Sequence, residues 1–249
     1  REHIVITVMG IEGQKPPGSP DMRIRHIGGG IERVRTQYEL YDAIRIDHFP
    51  GLVRYWQIPA SEITADNGQW VSVPGRRLLQ ILTQLYPSLQ LIAEDLGTIT
   101  PEILALRDEF SLPGMLVLQF AFDGSQDNPY LPKHHTQNSV VYTATHDNNT
   151  TLGWYNSLSD ETNIYVRECI DFDNEEMPWP MIRTALESQA NLAMLPMQDI
   201  LGLGEGHRMN TPGTTENNWQ WRFKWQQIDE DLPTKLSSLL KSCKRKIAS

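Results

Sequence analysis

Five short runs of the 249-residue chain are apolar almost throughout and end in polar or charged residues. They are 41–48 (Y-D-A-I-R-I-D-H), 89–97 (L-Q-L-I-A-E-D-L-G), 114–122 (G-M-L-V-L-Q-F-A-F), 139–147 (S-V-V-Y-T-A-T-H-D) and, more weakly, 191–196 (N-L-A-M-L-P). A sixth strand fits at residues 4–8. Between the runs the periodicity changes to that of a helix. Residues 76–86 place Leu78, Leu79, Ile81, Leu82 and Leu85 on one stripe. Residues 100–110 open with Thr100 as N-cap, Pro101 in the first helical position and Glu102 in the first turn. Residues 165–170 and 181–190 read as further helices, and 31–41, with Ile31, Val34, Tyr38 and Leu40, as the helix leading into the first clear strand. Residues 9–30 show little periodicity and read as irregular, with Gly28, Gly29 and Gly30 in a loop. Apolar strands alternating with helices predict an α/β fold with a parallel sheet covered on both faces.

A (β/α)₈ TIM barrel fits better than an open nucleotide-binding sheet. No Gly-rich phosphate loop follows any strand, whereas Asp47, Glu94, Asp95 and Asp147 all stand at strand C-terminal ends, where barrel enzymes keep their chemistry. Only five to six strands can be counted, so the expectation is the C-terminal portion of a barrel. Its open edges would pair with a second copy or a companion chain.

The charge balance is 22 Lys+Arg against 31 Asp+Glu, net −9. That excludes an electrostatic footprint for nucleic acid or anionic lipid. No apolar run approaches the roughly 20 residues of a membrane span, and the first residues lack a signal-peptide pattern. Two cysteines, Cys169 and Cys243, make neither a disulfide framework nor a metal cluster, and point to a reducing cytoplasm.

The strand-end acids give the strongest chemical lead. Cleaving a glycosidic bond needs one carboxylate at the anomeric carbon and one carboxylic acid to protonate the leaving oxygen. A lone acid after a strand more often caps a helix or pairs with a cation; here Arg45 and His48 flank Asp47, and His146 precedes Asp147. Aromatics near predicted loops, Tyr55, Trp56, Trp70, Tyr130, Trp154 and Trp219, would suit sugar stacking, although a tryptophan is more often a packing residue. The histidines lack metal-ligand spacing, and a metal hydrolase would need Asp47, His48, Asp95, His146 and Asp147 to converge. No G-x-S-x-G serine motif is present.

The segments D-A-I-R-I-D-H-F (42–49), I-A-E-D-L-G-T-I-T-P-E (92–102), L-P-G-M-L-V-L-Q-F-A-F (112–122), N-P-Y-L-P (128–132), V-V-Y-T-A-T-H-D-N-N-T-T-L-G-W (140–154) and R-M-N-T-P-G-T-T-E-N-N-W-Q-W-R (208–222) resemble the 4-α-glucanotransferases, or amylomaltases, of glycoside hydrolase family 77. The resemblance implies Asp47 as nucleophile, Glu94 as general acid/base and Asp147 as transition-state stabiliser. It implies Arg45, His48, His146 and Asn210 as substrate-binding or orienting residues, with no cofactor and no metal. The implied partners are maltooligosaccharides and starch- or glycogen-type α-glucan. The implied activity is transfer of α-1,4-glucan segments to an acceptor's 4-hydroxyl through a covalent glucosyl-enzyme. On this reading residues 31–249 are the C-terminal part of the catalytic barrel and 1–30 an unrecognised irregular segment. The alternative is a catalytically inactive remnant or a weak glucan-binding module. One departure stands out: family members usually read R-I-D-H-F-R-G, and Pro50 here takes the place of that second arginine, which would re-aim the loop.

Overall fold

The computed structural model describes the backbone of residues 5–8, 20–62 and 64–245, and the side chains of 29–62 and 64–245. The chain divides into two units, Arg1–Met115 and Leu116–Ser249.

In the first unit, β1 (Val5–Val8), α1 (Pro20–Tyr38) and β2 (Ala43–Ile46) are followed by a 3₁₀ turn at Phe49–Leu52 and a hairpin of β3 (Arg54–Gln57) and β4 (Gln69–Ser72). Then come α2 (Gly75–Leu85), β5 (Gln90–Ala93) and α3 (Pro101–Glu109). β1, β2 and β5 form a parallel sheet in that order, in which Ile46 is the register partner of Ala93. Ile44, Ile46, Leu91 and Ala93 share one buried cluster with Val34 of α1, Leu78, Leu79 and Leu82 of α2, and Ile103 and Leu106 of α3. Leu78, Leu79 and Leu82 of the stripe read from the sequence cover this sheet, whereas Leu85, and Leu40 beyond α1, are exposed. At Gly75 a Cβ would lie 2.1 Å from the Leu52 carbonyl oxygen, so α2 begins where only glycine lets the two backbones meet.

Two expectations change here. Residues 20–30, read as irregular, are the first part of α1, with Gly28, Gly29 and Gly30 inside it. Each interior glycine costs about 1 kcal/mol relative to alanine. The helix nevertheless forms, with Val34 buried and Ile31 packed against the core, and with Arg35 paired to Glu32 and Glu39 one turn either way. Residues 1–4 and 9–19 of that segment lie outside the described residues. The β3–β4 hairpin, antiparallel with Trp56 opposite Trp70, was not expected. Its rings meet edge to face at 5.2 Å, and Arg54 stacks over Trp70.

β6 (Gly114–Val117) follows α3, and Ala93 N–H donates to Pro113 O (2.9 Å), which sets the chain entering β6 beside the end of β5. In the second unit come β7 (Ser139–Tyr142), α4 (Thr151–Asn156), α5 (Asp160–Cys169), α6 (Trp179–Glu187), β8 (Leu192–Met194), α7 (Met197–Ile200) and α8 (Leu232–Ser242). The second sheet has the order β6-β7-β8, with β7 and β8 parallel. All four β7 residues are buried, which is why this stretch reads as continuous rather than alternating. Its core joins Val141 to Val166 of α5 and to Met181 and Ala185 of α6. Thr150 and Ser159 cap α4 and α5 by accepting from Gly153 and Thr162 amides. Arg245 donates to the carbonyls of Leu186, Ser188 and Ala190, filling acceptors that the end of α6 leaves open.

Where a single row of five parallel strands was expected, the described residues form two three-stranded sheets with chain order kept within each, and β1–β2, β2–β5 and β7–β8 pair in parallel. Among the described residues no helix is long and apolar enough to cross a membrane.

Candidate active site

In the first unit the site begins with strand alternation. Residues 45 and 47 fall on the same side of β2, opposite Ile44 and Ile46. Arg45, though buried, accordingly reaches Asp47, donating from Nη2 to Oδ1 at 2.9 Å. Ile46 pairs with Ala93, so Asp47 and Glu94 are the next partners at the C-terminal edge of neighbouring strands, whose backbones run about 4.8 Å apart. The pairing continues past the strand ends: Glu94 N–H donates to Ile46 O (3.0 Å), and Phe49 N–H to Glu94 O (3.1 Å). Arg45 Nη1 stands 3.9 Å from Glu94 Oε2, so one guanidinium serves both carboxylates.

His48 was expected among the residues that bind or orient substrate. The structure shows its backbone at work: with φ 47° it is in the left-handed region, and its amide donates to Glu94 Oε2. A non-glycine residue held there costs on the order of 1–3 kcal/mol, and such strain collects at functional sites. Pro50 fits without disruption. It lies in the first turn of the 3₁₀ segment, where its missing N–H is not needed, while Phe49 is fully buried and tied to β5.

Burial lifts the Glu94 carboxyl above its usual range; the His48 amide and Arg45 oppose this, and the Asp47 charge adds to it. A carboxyl of raised proton affinity beside one paired with arginine is the asymmetry that separates a general acid from a nucleophile in a retaining pair.

Asp95, the adjacent acid, faces the other way. It accepts from Arg107 of α3 (2.6 Å) and from the Met115 amide (2.8 Å), and a Cβ on Gly114 would meet its oxygen at 2.5 Å. Asp95→Asn should therefore cost about 1–3 kcal/mol of stability through a weakened buried bond, read as a lower urea midpoint at unchanged slope.

In the second unit, β7 gives way to a turn in which Asn148 Oδ1 accepts from the amide and hydroxyl of Thr145 (2.9 and 2.7 Å). His146 and Asp147 ride on this turn. Asn210 donates from Nδ2 to Asp147 Oδ1 (2.6 Å) and from its amide to His146 O (3.1 Å). Arg208 donates to the Asp147 carbonyl (2.7 Å). His146 Nε2 is 3.4 Å from Asp147 Oδ2, and its ring lies 5.1 Å from that of Trp219, which has φ 62°. His146, Asp147, Asn210 and Trp219 are thus brought together. Arg208, Asn148 and Glu205, which accepts from Asn149, carried no signal that marked them beforehand. Among the described residues no group of three His, Cys, Asp or Glu stands ready for a metal ion, so the metal-hydrolase alternative finds no support there.

An α/β protein with an arginine-bridged acid pair at the edge of adjacent parallel strands belongs, as a class, with the α/β enzymes that work from strand C-terminal ends. Comparison with known proteins narrows the class. Residues 30–228 match the profile of glycoside hydrolase family 77, described as 4-alpha-glucanotransferase, and the chain belongs to this family. It is 46% identical over 222 residues to a 4-alpha-glucanotransferase of Synechocystis sp. (87% of this chain, 44% of that protein). It is 43% identical over 223 residues to that of Thermus thermophilus (86% and 45%). Among solved structures, the amylomaltase of Streptococcus agalactiae in complex with acarbose superposes with a TM-score of 0.82 at 30% identity, covering 88% of this chain and 45% of that one. The chain spans just under half the length of the curated relatives it matches.

Proposed function

We propose that this chain carries the reacting carboxylates of a 4-α-glucanotransferase that works by retaining double displacement. Asp47 attacks the anomeric carbon of an α-1,4-linked glucose, and Glu94 gives its proton to the departing 4-oxygen. The result is a covalent glucosyl-enzyme and a shortened glucan. Glu94, now a carboxylate, takes the proton from the 4-hydroxyl of an acceptor sugar. That oxygen displaces Asp47 and restores the α configuration. Asp147 opposes the positive charge that develops on the sugar in both steps. Arg45 holds Asp47 oriented, and His48, His146 and Asn210 serve the sugar or the groups that touch it. The substrates are maltooligosaccharides or storage α-glucan, and the chemistry calls for neither metal nor organic cofactor.

The observation that carries this reading is that Asp47 and Glu94 directly follow the Ile46–Ala93 register pair and share one buried arginine, which suits the roughly 5–5.5 Å carboxyl separation of a retaining pair. The parallel β1-β2-β5 sheet, the parallel β7–β8 pair and the helices that cover them support a (β/α)₈ barrel as the architecture. Two free cysteines support a cytoplasmic setting.

Maltotriose offered alone to the full-length protein should give glucose and a ladder of longer maltooligosaccharides, because sugar captures the intermediate faster than water does. Chromatography showing only maltose and glucose would mark a hydrolase, and an unchanged substrate would count against the activity altogether.

A further inference from the structure

We propose that Asp199 is a positioning residue that staples both ends of the loop bearing His146 and Asp147. The inference rests on the proposed role of Asp147. Asp199, in the short helix α7, is fully buried, yet no step of the proposed reaction uses it. Its Oδ2 accepts from the hydroxyls of Thr143 (2.6 Å) and Thr151 (2.7 Å), and its Oδ1 accepts from the Thr151 amide (2.7 Å). Thr143 is the residue that follows β7, and Thr151 is the first residue of α4. The eight-residue step from one to the other carries His146 and Asp147 at its turn, so a single carboxylate fixes where this loop leaves the sheet and where it enters the helix.

The arrangement is selective for an acid at this position. All three partners approach as donors, and burial, the largest influence on the Asp199 carboxyl, pushes its proton affinity up while the threonine bonds pull it down. Both threonines are themselves fully buried, so a hydroxyl deprived of Asp199 has no water to turn to. Within the loop, Asn148 folds the turn back on Thr145, and Gln119 Nε2 holds the Asn149 carbonyl at 2.9 Å. These contacts shape the loop; the Asp199 staple sets where that shape stands. Misplacing a reacting group by about 1 Å can cost on the order of 10²-fold in rate. Asp147 is proposed to act on charge that exists only in the transition state, so displacement should lower kcat more than it raises KM.

The experiment uses the full-length protein with Thr143→Val, Thr143→Ser, Asp199→Asn and the Thr143→Val/Asp199→Asn double variant. Hydrogen exchange comes first because it needs no activity. In Thr143→Val and in Asp199→Asn, amides of residues 144–150 should exchange at least about tenfold faster while β7 and β8 keep their protection. In maltotriose transfer well below the melting temperature, Thr143→Val should lose about 10–100-fold in kcat with KM within about threefold, and Thr143→Ser, which keeps the hydroxyl, should restore the rate. The double variant should be no worse than Asp199→Asn alone, because the hydroxyl acts only through that carboxylate. Exchange that rises everywhere equally or nowhere, a Thr143→Val enzyme with unaltered kcat, or fully additive losses would overturn the staple. A parent protein that makes no ladder would instead remove the proposed function, and the exchange pattern would still decide the staple.

Discussion

Asp47→Asn is expected to eliminate glucan transfer while leaving the fold intact. The amide keeps the volume of the carboxylate and can still accept the Arg45 bond through its oxygen, so the strand edge has no reason to move. What disappears is the group that forms the covalent bond. The expected loss in kcat exceeds about 10³-fold, because removing even one charge-stabilising donor from an active site costs about 10²–10³-fold. Stopped transfer assays, with circular dichroism matching the parent, would check it. A variant retaining a tenth of the parental rate would show that Asp47 does not react.

Glu94→Gln is expected to cut transfer by about 10²–10⁴-fold, the usual contribution of a positioned general acid/base. The pH dependence follows from the raised Glu94 carboxyl. Glu94 must hold a proton when the leaving oxygen departs, so the first step slows as pH rises through its raised value. The alkaline limb of kcat/KM should therefore lie above the roughly 4.3 of an ordinary glutamate, and that limb should vanish in Glu94→Gln. Stability carries the opposite sign. The folded value lies above the unfolded one, so the folded state binds this proton more tightly. Stability is undiminished below the unfolded value and is lost as pH climbs through the window up to the folded value. Glutamine removes that loss, so at pH 7 the variant should unfold at no lower urea concentration than the parent. A crippled enzyme that is no less stable is the signature of a group held against its electrostatic preference.

Much of this geometry was legible in the chain. Continuous apolar runs gave β2, β5, β6 and β7, because strands buried on both faces show no alternation. The acids at their ends followed from where α/β folds keep exposed side chains, and the i, i+2 relation of Arg45 to Asp47 followed from the pleat. Local propensity misled at α1, where three glycines read as a breaker and packing of Ile31 and Val34 prevailed. The β3–β4 hairpin escaped notice because each strand is four residues long and mixes Arg, Gln and Ser with aromatics. Other features are legible only in three dimensions. Nothing in M-Q-D-I marks Asp199 as the acceptor for threonines 56 and 48 residues away, and nothing in R-I-D-H says that the His48 amide meets the Glu94 carboxyl. Such roles are set by long-range contacts, which no periodicity encodes.

The central claim is a covalent bond from Asp47 to glucose, and it can be read directly. Glu94→Gln protein mixed with α-maltosyl fluoride should form the glycosyl-enzyme, since fluoride leaves without a proton, and should then stall because no base activates the acceptor. Proteolysis and mass spectrometry should find a maltosyl adduct on the peptide that contains Asp47, and the adduct should be absent from Asp47→Asn. An adduct on Glu94's own peptide or on Asp147, or fluoride release giving a β-configured product with no adduct at all, would contradict the account.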